Sequence, residues 1–212
     1  MIVGTRYWNE ASRYSQQNNN PEEEALRVAL EELSAKYKFK INAATHYEFC
    51  GPTAAINAHD AVGAPFVCKL PGGYILQTES LLTDFFRDPV NYPLLKAVVG
   101  EKWFDPAKTP ANRVLKCYPA ALKATFGWEA LYKDKKTAWK DIPQLLRSNV
   151  ALVLCLESPG HYICVKAFDD RTNELIYNDP WNFRGGIHGF NRRMSYGEWN
   201  TNTRPFELQV VS

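Results

Sequence analysis

The sequence predicts an α+β fold, with helices first along the chain and an antiparallel sheet later. Three observations carry that expectation. The run "NPEEEALRVALEELSAKYK" repeats apolar residues at helical spacing behind a capping residue. The middle of the chain holds further helical stretches, broken by Pro-punctuated loops such as "RDPVNYP" and "FDPAKTP". From Val150 the period changes: "VALVLCLE", "HYICVKAFD", "ELIYND" and "PFELQVVS" are short runs rich in β-branched and aromatic residues between turn formers. A wound parallel sheet would alternate its elements instead. With 212 residues, one core is expected over 1–212, its helical part at about 1–148 and its sheet part at about 149–212.

Each element has a local cause. Asn20 caps the first helix, Pro21 suits its first turn, and Glu22, Glu23 and Glu24 favour the positive end of the dipole. Leu26, Leu30, Leu33 and Tyr37 then form its buried stripe. After an extended piece, "YKFKINAAT", a helix is predicted from Thr53 to Val62, closed by Gly63 in the left-handed conformation. Weaker helical patterns follow at Thr78 to Arg87, Pro110 to Phe126 and Lys136 to Ser148. No internal repeat or low-complexity linker interrupts them.

Composition excludes several classes of function. Hydrophobic residues at 45% and charged residues at 23% are those of a folded globular chain. A net charge of +2 gives no electrostatic reason to expect nucleic acid or an anionic membrane as partner. The five cysteines, Cys50, Cys68, Cys117, Cys155 and Cys164, are odd in number and widely spread, which argues against a disulfide framework or a zinc ribbon. Cys155 and Cys164 lie in apolar strand-like runs and are expected to be small buried hydrophobes. The start "MIVGTRYWNEAS" has no secretory pattern, and no apolar run reaches the ~20 residues of a membrane span. Synthesis in a reducing cytoplasm is expected, with later export or association with a virus particle left open.

The chemistry is expected at "EFCGPTAAINAHDAVG". A thiol at a helix N-terminus feels the positive end of the macrodipole and the unpaired N–H groups of the first turn, both of which favour thiolate. Cys50 fits that place; Gly51 allows close approach of a substrate backbone, and the Cys50 N–H can donate to an oxyanion. His161 opens a strand just past a Pro-Gly turn, where backbone bonds position it and its ring stays near solvent, as a general base requires. A turn at about Asp170 to Asn173 pairs residue n with about 342 minus n, so Asp179 falls within about two residues of His161 across the ladder. Register decides whether Asp179 or Asn178 reaches the imidazole. His59 lies too far along its helix to meet the thiol, and His188 sits in a Gly-rich loop that could overhang the site. The histidines and carboxylates have no metal-ligand spacing, and no cofactor is expected.

Taken together, "CGPTAA" (50–55), "GHYICVKAFDD" (160–170), "LIYNDPWN" (175–182) and the distal "MSYGEW" resemble the papain-like cysteine peptidases of the bacteriocin-processing type, which remove double-glycine leaders, and especially their stand-alone bacterial and phage relatives. The resemblance implies a papain-like fold and a triad with Cys50 as nucleophile, His161 as general base and then acid, and Asp179 as its orienter. That family also places a glutamine shortly before the cysteine to line the oxyanion hole. This chain reads "NAATHYEFC" there, leaving Asn42 and His46 as candidate substitutes. Residues 64–148 carry no recognisable counterpart.

The function expected is hydrolysis of a peptide or isopeptide bond through a thioester, with a peptide, a protein or peptidoglycan as substrate. Two alternatives remain: transglutaminase-like acyl transfer by the same triad, and a binding module on a retired peptidase scaffold. The oligomeric state is not legible. Aromatic stretches such as "YPLLKAVVGEKWF" and "PWNF" are expected to be core rather than to line a groove.

Overall fold

A computed structural model of the protein describes residues 1–9, 50–63, 78–100, 114–158, 160–180 and 189–211. The helix expected from Asn20, the piece "YKFKINAAT", and Asn42, His46, Cys68 and His188 lie outside the described residues. The strands are β1 (Ile2–Gly4), β2 (Ala130–Lys133), β3 (Ala151–Leu156), β4 (His161–Asp169), β5 (Glu174–Asn178), β6 (Arg192–Ser195) and β7 (Thr203–Val210). The α-helices are α1 (Cys50–Val62), α2 (Thr78–Arg87), α3 (Tyr92–Val99), α4 (Tyr118–Phe126), α5 (Ile142–Arg147) and α6 (Tyr196–Asn202). Helices and an antiparallel sheet together make the fold α+β.

Among the described residues the sheet has seven strands in the order β2-β7-β3-β4-β5-β6, with β1 beside β4. Its pairings are antiparallel throughout. Strands β3 and β4 are buried almost throughout because both faces of the sheet are covered there. Alternation sorts their side chains: Val153, Cys155, Tyr162 and Cys164 join α1, α2 and α4 in one core. Leu152, Leu154, Ile163 and Val165 join Ile142 and Leu146 of α5 and Trp199 of α6 in another. Each such fully buried aliphatic side chain contributes about 2 kcal/mol relative to exposure.

The β4–β5 hairpin positions the site. Asp169, Phe168 and Ala167 face Glu174, Leu175 and Ile176, and after an irregularity between Val165 and Ala167 the pairs become Val165–Tyr177 and Cys164–Asn178. That second register is the one expected from the turn, whose last residue, Asn173, takes φ 56°. Helix α1 lies across β4 and β3, and Gly63 ends it at φ 77°.

Prolines divide the middle of the chain more finely than its periodicity predicts. The stretch expected as one helix from Pro110 is, in its described part, a 3-10 turn at Leu115–Cys117 followed by α4, with Pro119 in the first turn of α4. Likewise the stretch from Lys136 becomes a 3-10 turn at Trp139–Asp141 and then α5, which Pro143 opens. "RDPVNYP", read as a loop, carries a 3-10 turn at Pro89–Asn91 and the start of α3. Its Asp88 side chain accepts the Val90 N–H at 3.0 Å. Proline restarts helices at these places because its missing N–H is one that a first turn leaves unpaired. Strands β1, β2 and β6 also escape the sequence reading. They have three or four residues each, too few to show a period, and are fixed by pairing to longer neighbours.

Candidate active site

Cys50 is the first residue of α1, half-buried and packed on the core beneath the helix. The thiol therefore meets the first-turn N–H groups that the helix cannot pair internally. Burial is the largest single influence on it and opposes ionisation. A hydrogen bond to the His161 side chain, backbone hydrogen bonds from Tyr162 and Gly51, and the charge of His161 outweigh burial and hold the thiol below the usual cysteine range. Gly51 thus acts on the sulfur through its backbone.

His161 opens β4, where it faces Leu156 of β3. Its Nε2 lies 2.6 Å from Asp179 Oδ1, which leaves Nδ1 as the nitrogen available to the sulfur. The ring is far less open than its strand-end place predicts: both side chains of this pair are only 6% exposed. Burial, again the largest influence, disfavours the imidazolium. The hydrogen bonds to Asp179 and Cys50 and their negative charge prevail, pushing His161 up to about 9.

Asp179 follows the last residue of β5. Its backbone N–H donates to Gly189 O at 2.7 Å, and its Oδ2 lies 3.4 Å from Arg192 Nη1. Asn178, the other candidate partner for the ring, instead accepts the Asn191 backbone N–H on Oδ1 at 3.4 Å. Alternation across the strand end separates the two: one side chain turns to the imidazole and its neighbour to the start of β6.

The other described cysteines differ sharply. Burial pushes Cys117 up to about 12, Cys155 to about 11 and Cys164 to about 12. All three are buried, so they are inert at neutral pH. His59, further along α1, is a core residue with its ring centroid 4.2 Å from that of Trp128. Among the described residues, no three His, Cys, Asp or Glu side chains cluster as a metal site would require.

Residues 11–204 match the profile of the Peptidase_C39 like family. The chain belongs to that family. The match spans most of the 212 residues, including Cys50, His161, Asp179 and the stretch 64–148 for which the motifs alone offered no counterpart. Membership in the Peptidase_C39 like family suggests cysteine peptidase activity. No curated protein matches the chain. No helix among the described residues is long and apolar enough to cross a membrane.

Two residues that touch Asp179 are missing from the sequence reading. Gly189 and Arg192 both lie within "GGIHGFNRRMSYGEW". The signal available was a basic pair just before a capped helix start, where Ser195 and Glu198 form a capping box. Without β6 as a predicted strand, no register could place Arg192 against Asp179.

Proposed function

We propose that the protein is a papain-like cysteine hydrolase of amide bonds, a relative of the bacteriocin-processing peptidases, working through a Cys50–His161–Asp179 triad and a thioester. One observation carries this reading: a thiol held below its usual range, hydrogen-bonded to an imidazole whose opposite nitrogen bonds a carboxylate. The Cys50 thiolate attacks the carbonyl carbon, and its oxygen takes the displaced electron pair. As the tetrahedral species collapses, the C–N bond breaks and imidazolium gives its proton to the leaving nitrogen. Water then attacks the thioester, passing a proton to His161, and the thiol is regenerated as the acid departs. Asp179 keeps the imidazolium oriented throughout. Gly51 and the Cys50 N–H line the oxyanion side, with Asn42 or His46 supplying the donor that a glutamine gives in the bacteriocin-processing enzymes.

The substrate is a peptide, a protein or a peptidoglycan cross-link. Incubating the protein with a double-glycine leader peptide, with a general protein substrate and with purified peptidoglycan, each with and without an added primary amine, separates the possibilities by mass of product. The reading expects new carboxyl termini that depend on Cys50. Amine adducts in place of hydrolysis would move the assignment to acyl transfer. A Cys50→Ala protein with full biological function would make the domain a binding module.

A further inference from the structure

We propose that Arg192 is a positioning residue for this site: together with Gly189 it clamps the Asp179 carboxylate in the plane that the His161 ring requires. The proposal rests on the triad reading above and goes one layer beyond it.

Asp179 needs such a clamp because it stands one residue past the last ladder pair of β5, Cys164–Asn178. Beyond that pair the β4–β5 bonds no longer fix its backbone, and the β5–β6 connection takes over. Gly189 O accepts the Asp179 N–H at 2.7 Å. The approach is close enough that a Cβ at Gly189 would overlap the Asp179 carbonyl oxygen. The side chain is held at two points: Oδ1 meets His161 Nε2 at 2.6 Å, and Oδ2 meets Arg192 Nη1 at 3.4 Å. A carboxylate bonded through both oxygens cannot rotate without losing one partner. Arg192 is anchored in turn, as the cross-strand partner of Tyr177 with a side-chain hydrogen bond between them. The clamp therefore links β5, β6 and the ring in one chain of contacts. Lysine, with its donors on one mobile nitrogen, would supply the charge but not the planar fork.

Charge and positioning predict opposite effects, which makes the role testable. Removing a nearby positive charge, by itself, would raise the His161 titration point. Releasing Asp179 from the ring would lower it, because the carboxylate contact favours imidazolium. The experiment is an NMR titration of the His161 ring in the full chain, assigned with His161→Gln, alongside iodoacetamide labelling of Cys50 at pH 6. The wild-type ring is expected to titrate at about 9. Arg192→Gln should lower that point by about one pH unit and slow labelling about three- to tenfold, with Arg192→Lys in between. Gly189→Ala should lower it too. An unchanged or raised titration point in Arg192→Gln, with folding intact by circular dichroism, overturns the proposal. If that variant does not fold, an Arg192→Lys ring that titrates as in the wild type overturns it equally. Failure of the triad reading looks different: Asp179→Asn itself would leave the ring titrating as in the wild type.

Discussion

At Cys50 and Cys164 the same side chain meets opposite fates within one core. Cys164 lies mid-strand, where burial outweighs the attraction of Lys166 and, with Asp60 nearby, raises it to about 12. Cys50 is also desolvated, but a helix start and His161 lower it. The pH dependence of activity follows with its sign. Under the proposed mechanism, activity should rise through a limb below the ordinary thiol range as Cys50 ionises, and fall as pH passes about 9, where His161, the proposed acid, loses its proton. A kcat/KM profile checks this. The raised His161 value also stabilises the fold: that contribution is complete below the unfolded value of about 6.5 and is lost as pH rises through about 9. Asp179→Asn should reduce kcat/KM by roughly ten- to a hundredfold, because an amide still accepts from the ring but lacks the charge, and Asp179→Ala should cost more. The three side chains now in contact were legible in the sequence, each standing at a punctuation mark: Cys50 before Gly-Pro, His161 after Pro-Gly, Asp179 before Pro180. Arg192 had no such mark. Its place depends on a cross-strand register that only the folded sheet supplies.

Elements show the same division between local and long-range causes. Helix α1 was legible because Gly63 closes it, at a φ of 77° that other residues resist. Its side also packs on Tyr7, so a Cβ there would overlap the ring. Gly63→Ala should therefore destabilise the protein by about 1–3 kcal/mol, read as a lowered urea midpoint with an unchanged slope. At α6 the Ser195 side chain accepts the Glu198 N–H at 3.3 Å, and Glu198 Oε2 accepts the Ser195 N–H at 2.8 Å. Ser195→Ala should cost about 1 kcal/mol and loosen the helix next to β6. By contrast, the start of α3 looks like a loop in the sequence. Pro89 and Pro93 look like breakers until they are seen at the starts of a 3-10 turn and a helix, where they fit.

Across the whole molecule, buried polar groups differ in how well hydrogen bonds support them. Glu207 is fully buried, yet it accepts the Thr137 N–H at 2.7 Å, the Thr137 hydroxyl at 2.6 Å and the Gln209 amide at 2.7 Å. His59 has no comparable support: among the described residues neither ring nitrogen finds a hydrogen-bond partner, and burial lowers it to about 3. An unfolded chain binds the proton near 6.5 while the folded one refuses it, so stability is lost as pH falls from about 6.5 towards 3. The loss is on the order of 1 kcal/mol per pH unit. His59→Leu should flatten that acid slope in urea melts between pH 7 and 4. The helices-then-sheet order was legible from the change of period at Val150. The recruitment of β1 was not, because a three-residue strand is specified by its partner, with Thr5 N–H on Lys166 O at 2.9 Å and Asp170 N–H on Met1 O at 2.9 Å.

His161 holds the Cys50 thiol below the usual cysteine range, and thiol labelling across pH reads that directly. With iodoacetamide and peptide mapping, Cys50 should label at pH 6 at least tenfold faster than Cys117, Cys155 or Cys164 in the folded protein, and that advantage should vanish in His161→Ala. Labelling of Cys50 that begins only near pH 8.5, or that is indifferent to His161, would make Cys50 an ordinary thiol with no activating partner.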